Sequence, residues 1–125
     1  MNQRTTILTG IFMAGLGVAI GAFGAHGLKE LLARTGRADT FELAVRYQFY
    51  HAFALLITGL LMGSYRSSAI RYAAMFFAVG ILFFSGSLYV LSLSGITVLG
   101  AVTPVGGVLF ILGWIFLFLA VSKKG

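Results

Sequence analysis

The side chains able to do chemistry in this 125-residue chain are few, and most of them sit in one stretch. Arg46-Tyr47-Gln48-Phe49-Tyr50-His51-Ala52-Phe53-Ala54-Leu55-Leu56 begins charged and aromatic and turns apolar within two helical turns. On a helix Ala44, Tyr47, Gln48, His51 and Thr58 share one face, because their offsets are three, four and seven. Further on, Ser85, Tyr89 and Ser92 share a face by the same rule. The second histidine, His26, closes an earlier apolar run. An ionisable group carried into a bilayer faces the bundle interior or a water-filled cavity, so His51 is the first candidate for function.

That set admits several chemistries. In the plainest, His51 hydrogen-bonds Ser85 or Tyr89 and locks helix register, a modest contribution of about 0.6 kcal/mol per bond. In a sharper one, His26, Arg46, Tyr47, Gln48, Tyr50, His51, Ser85 and Tyr89 form a polar pocket in the outer leaflet for a lipid headgroup or a quinone. Tyr47, Tyr50 and Phe53 would wall it, and Arg46 or Lys29 would meet an anionic or carbonyl oxygen. Two histidines on different helices also suggest bis-histidine haem or a metal, although no cysteine or second carboxylate accompanies them. A proton relay through His26 and His51 uses groups that titrate near neutrality. A transport path, however, needs polar groups in the inner half, which holds little besides Thr58. All three acids, Glu30, Asp39 and Glu42, lie in the connection after the first apolar run. None is placed to orient a histidine as a base, so no catalytic residue is assigned.

The elements that must position these groups follow from composition. The chain is 59% hydrophobic and 10% charged, with mean hydropathy +1.00, whereas soluble domains carry about a quarter charged residues. At about 20 apolar residues per span, the length accommodates four spans as one domain and no sizeable soluble part. The net charge of +6 sits in short connections between apolar runs. Topology and lipid headgroups explain it better than nucleic acid does, since no basic stripe interleaved with stacking aromatics appears.

Spans are expected at about 6–26, 42–63, 72–93 and 104–121, forming an all-α bundle. The first has a basic start and small residues near Ala22-Phe23-Gly24, as a cleavable signal would, but reads as a retained span. Its face of Ala14, Gly17, Gly21 and Gly24, and Gly59 with Gly63 in the second span, suit close helix packing. Between these spans Leu28, Leu31 and Leu32 have the spacing of a short amphipathic helix on the membrane surface. Thr35-Gly36-Arg37 breaks it, and Asp39 with Glu42 resembles a capping pair starting the next helix near Thr40. The last span begins at Ile96 with a kink at Pro104, or at Pro104 behind a Thr103 cap; the second fits proline's place in a first turn. Arg4, Arg66, Arg71, Lys123 and Lys124 share one side, against Lys29, Arg34, Arg37 and Arg46 on the other. The bias favours cytoplasmic termini in a bacterial inner membrane.

Four stretches carry a family resemblance: Gly21-Ala22-Phe23-Gly24-Ala25-His26-Gly27-Leu28, Arg46 through Ala52, Phe84-Ser85-Gly86-Ser87-Leu88-Tyr89, and Thr103-Pro104-Val105-Gly106-Gly107 through Gly113-Trp114. In this order they resemble the YgdD/YwdK family of small four-span bacterial membrane proteins with mitochondrial relatives. The resemblance implies a multi-pass membrane protein and brings no reaction, substrate or cofactor. The expectation is therefore a non-enzymatic scaffold or accessory protein. It has membrane lipids around it, a homo-oligomer or larger complex as its setting, and a polar pocket for a lipid or quinone. A redox protein ligated by His26 and His51, and a small-solute or proton transporter, are the alternatives.

Overall fold

The computed structural model describes residues 1–123, so Lys124 of the basic C-terminal pair lies outside the described residues. The elements run α1 (Gln3–His26), α2 (Lys29–Thr35), α3 (Ala38–Leu61), α4 (Ser68–Ser94), a 3-10 turn (Thr97–Ala101) and α5 (Thr103–Ser122). No strand occurs among the described residues. Three helical stretches among them are long and apolar enough to cross a membrane: Gln3–His26, Ser68–Ser94 and Thr97–Ser122. α3 has the length, at 24 residues, but Asp39, Glu42, Arg46, Gln48 and His51 dilute the part that runs up to His51.

Each boundary has a local cause. Asn2 caps α1, its side chain accepting from the Thr5 N–H at 2.8 Å. α2 ends at Gly36 and α4 at Gly95, both in the left-handed region (φ 68° and 74°), where only glycine avoids a Cβ clash. α3 begins at Ala38 rather than Thr40, and no side chain caps it; the Asp39–Glu42 pair lies inside the helix. Pro104 sits in the first turn of α5, where its missing N–H leaves no intrahelical bond unmade. Thr103 does not cap that helix. Its hydroxyl instead pairs with Ser87 of α4 at 2.7 Å.

The four long helices pack in chain order, α1 on α3, α3 on α4 and α4 on α5. α1 and α5 share no comparable seam among the described residues, so the arrangement is open along that side. Lipid tails are as apolar as leucine, so these seams hold by close approach rather than by the hydrophobic effect. Glycine sets the approach. On α1, Gly24 receives the Phe41 ring and Gly17 the Phe49 ring, and Gly59 of α3 receives Ile7. Gly21 and Gly63, expected in the same seam, make only ordinary contact. The α4–α5 seam uses Gly80 against Phe110, Gly113 against Phe77 and Gly106 directly against the Phe84 backbone. α2 is not loose on the membrane surface: Leu32 is buried, and the Thr35 hydroxyl donates to the Ser92 carbonyl of α4 at 2.8 Å.

Adjacent glycines test this seam. A methyl at Gly106 meets the Phe84 main chain, whereas one at Gly107 meets nothing within 4 Å. Gly106→Ala is expected to destabilise the fold by about 1–3 kcal/mol, and Gly107→Ala by no more than about 0.5 kcal/mol. Detergent unfolding of the two variants side by side measures the difference.

Candidate functional site

α3 carries its polar groups toward three different neighbours. Gln48, 2% exposed, donates through Nε2 to the Met13 carbonyl of α1 at 2.8 Å, and its Oε1 accepts from the Tyr89 hydroxyl of α4 at 2.6 Å. One side chain thus ties three helices together. Its approach to α1 is open because glycine flanks Met13 at both Gly10 and Gly17 on the facing side. Ser85 of α4 donates to the Ala44 carbonyl of α3 at 2.7 Å, at a crossing where Ala44 is fully buried. Tyr89 also packs its ring against Phe41 at 5.4 Å.

His51, 4% exposed, meets neither Ser85 nor Tyr89. Its Nδ1 lies 2.8 Å from the Tyr47 carbonyl, and its Nε2 lies 3.1 Å from the indole Nε1 of Trp114 on α5. A carbonyl only accepts and an indole N–H only donates. Both contacts are satisfied together by the tautomer with hydrogen on Nδ1 and a bare Nε2. The imidazole stacks on Phe110 (centroids 3.5 Å apart, 7° between planes) and Trp114 stands edge-on to Phe77 at 4.8 Å. Tyr47, half-buried, stacks on Phe84 at 4.7 Å. The result is a packed aromatic cluster joining α3, α4 and α5.

The structure therefore divides the expected constellation. Gln48, His51, Ser85 and Tyr89, with Tyr47 beside them, belong to an interhelical lock. Tyr50 and His26 are exposed, and Phe53 is exposed beside the Phe49 ring at 6.1 Å, so the three aromatics do not wall one pocket. His26 and His51 are not at one depth. Gly17 opposite Phe49 sets His51 level with about Gly15, eleven residues and so about 16 Å from His26. With His51 committed to Tyr47 and Trp114, the pair is not assembled as axial haem ligands, which corrects that expectation. The polar groups form a ladder from Ser87–Thr103 down to His51–Trp114 rather than a single level.

Arg46 faces elsewhere. With Lys29 and Glu42 it lines a groove of about 530 Å³ between the end of α1, α2 and the start of α3, whose other walls include Gly21, Leu32, Phe41 and Val45. Gly24 and Phe41 close its floor where ring and backbone meet. The volume lies in the range of small-molecule sites. A second groove, lined by Leu61, Trp114, Leu117, Phe118, Val121 and Ser122, is nearly all apolar.

Trp114 and Phe110 were not singled out by spacing in α3. For Phe110 the signal lay in α5, where Gly106, Phe110, Gly113, Leu117 and Ala120 recur at four and three and are all buried; Trp114, 44% exposed, falls outside that stripe. The lock makes a measurable prediction. Gln48→Leu and Tyr89→Phe, alone and combined, should show a coupling of about 0.6 kcal/mol and no more than about 1.7 kcal/mol. Additive losses in detergent unfolding would remove the bond from the account.

The family model described as "Protein of unknown function (DUF423)" matches residues 20–107. The UPF0382 membrane protein SAB0533 of Staphylococcus aureus (strain bovine RF122 / ET3-1) is 47% identical over 97% of this chain and 98% of its own. The UPF0382 membrane protein YwdK of Bacillus subtilis (strain 168) is 39% identical over the same shares. A Staphylococcus epidermidis (strain ATCC 12228 / FDA PCI 1200) relative, also a UPF0382 membrane protein, is 45% identical over those shares. No solved structure matches. A family model covering most of the chain and relatives aligned over nearly all of it lead to one conclusion: the chain belongs to the DUF423 family, with the bacterial UPF0382 membrane proteins as its relatives.

Proposed function

We propose that this protein is a non-enzymatic accessory or scaffold protein of the bacterial cytoplasmic membrane. Its four long helices all cross the bilayer, both termini are cytoplasmic, and the groove at the α2 end holds an amphiphile, a lipid or a quinone. The observation that carries the reading is the groove itself: apolar walls with Lys29, Glu42 and Arg46 set among them, an amphiphilic lining for an amphiphilic guest. The crossing of α3 rests on its place between α1 and α4 and on its burial of Gln48 and His51. Polar groups bonded inside the protein do not meet lipid. The helix spans about 36 Å at the helical rise, more than the hydrocarbon core of about 30 Å.

Topology is tested on single-cysteine variants, since the sequence has no cysteine of its own. Ala33→Cys should react with an impermeant maleimide in intact spheroplasts, and Ser64→Cys only after permeabilisation. Labelling of both from outside would mean that α3 does not cross; the reversed pattern would invert the orientation.

The groove is tested by filling it. Ala25 lines it and is exposed, so Ala25→Trp should leave the helix seams intact. Native mass spectrometry of the purified protein should show a bound lipid or quinone on the wild type, reduced at least about tenfold in the variant, the loss of about 1.4 kcal/mol of binding. Equal retention, or none in either protein, would remove the amphiphile site.

A further inference from the structure

Among the described residues, Arg46 is the one arginine or lysine carried well into a long helix. Gly21 opposite Val45 puts Arg46 beside the turn of α1 five residues before its end at His26, about 8 Å below that end. α1 is 24 residues long, about 36 Å against a hydrocarbon core of about 30 Å, so its end stands only slightly above the hydrocarbon boundary. The Arg46 backbone therefore lies just inside the apolar layer, and its long side chain has to rise to the headgroup level to keep the guanidinium solvated.

Among the described residues, no side chain bonds that charge. The interhelical side-chain hydrogen bonds among the described residues involve neither Arg46 nor Lys29. Glu42 is one turn above Arg46 on the same groove, yet no ion pair within 4.0 Å closes among the described residues. Both cations are exposed along the groove wall. Two cations and one carboxylate leave a single positive charge to be balanced. A planar guanidinium and an ammonium on the wall of one groove supply the recognition chemistry of a phosphate oxygen pair.

We infer that Arg46 and Lys29 hold the phosphodiester of a membrane phospholipid, with an acyl chain lying along Gly21 and Val45 below them. This rests on the amphiphile groove proposed above and names its occupant. The depth order fits: phosphate at the level that the Arg46 side chain reaches, hydrocarbon beneath it, and Glu42 above, where a second negative charge on the headgroup would be repelled. A quinone offers only carbonyl oxygens and leaves that one positive charge unneutralised. The site therefore selects a monoanionic phosphodiester over a neutral amphiphile of the same chain length.

The experiment uses the full-length protein in mild detergent, titrated with phosphatidylglycerol, with diacylglycerol of the same acyl chains, with a long-chain quinone and with inorganic phosphate, and read by native mass spectrometry. The wild type should retain phosphatidylglycerol over diacylglycerol and quinone. Retention should fall about fivefold in Arg46→Gln and by a similar or smaller factor in Lys29→Gln, the scale of one basic residue at an anionic surface. Arg46→Lys should restore most of it, and Arg4→Gln, at the opposite end, should change nothing. Because Arg46 is exposed, its variants should unfold like the wild type; if Arg46→Gln fails to fold, Lys29→Gln and Arg46→Lys decide the matter. Equal retention of phosphatidylglycerol by these variants overturns the assignment. Retention of diacylglycerol or quinone as strongly as phosphatidylglycerol also overturns it while leaving the amphiphile groove standing. Displacement of the lipid by millimolar inorganic phosphate would make this a free-anion site instead, and retention of nothing would sink both readings.

Discussion

The constraint on which the rest depends is the solvent. In a bilayer, burying leucine against leucine gains little over burying it against lipid, so helices associate only where backbones approach closely or polar groups find partners. α3 meets both conditions. Its apolar half contributes to the glycine seam with α1, and its polar half supplies Gln48 and His51, which bond to α1, α4 and α5 in turn. A helix with this many polar groups has no favourable place on the lipid side, and burial between α1 and α4 resolves that cost.

The magnitudes separate the roles of the two devices. Each interhelical hydrogen bond contributes about 0.6 kcal/mol, because the unfolded helix in the membrane also finds partners. Overpacking a single glycine contact costs about 1–3 kcal/mol. An added methyl in a seam therefore costs more than the loss of one such bond, as at Gly106 on the Phe84 backbone and Gly24 on the Phe41 ring. The hydrogen bonds do something packing does poorly. Glycine seams allow helices to slide, whereas the Gln48–Tyr89 and Ser85–Ala44 bonds are satisfied at one register only.

The lock and the groove are neighbours without being one site. Arg46 precedes Tyr47 by a single residue, and the 100° turn of the helix sends one to the groove and the other into the aromatic cluster. Changes in the lock should therefore act on stability, and changes on the groove rim on what is bound.

Much of this was legible in the chain. Low charge and long apolar runs required helices in a membrane, because only helices or closed barrels satisfy their backbones there. Gly36 and Pro104 marked helix boundaries for steric reasons that hold in any context. The glycine face of α1 and the polar face of α3 were readable as faces, since helical periodicity fixes which residues point together. Which neighbour each face meets was not readable. Periodicity carries no information on the rotation and slide of one helix against another, and those decided that His51 bonds Trp114 rather than Ser85 or Tyr89. They also decided that His26 stays about 16 Å away. They parted Arg46 from the polar residues beside it, and Thr35 tied α2 to α4 where spacing alone suggested a helix resting on the membrane surface. Sequence determined the elements and their faces through local sterics and hydropathy; tertiary packing alone chose the partners, because a partner is a property of two helices at once.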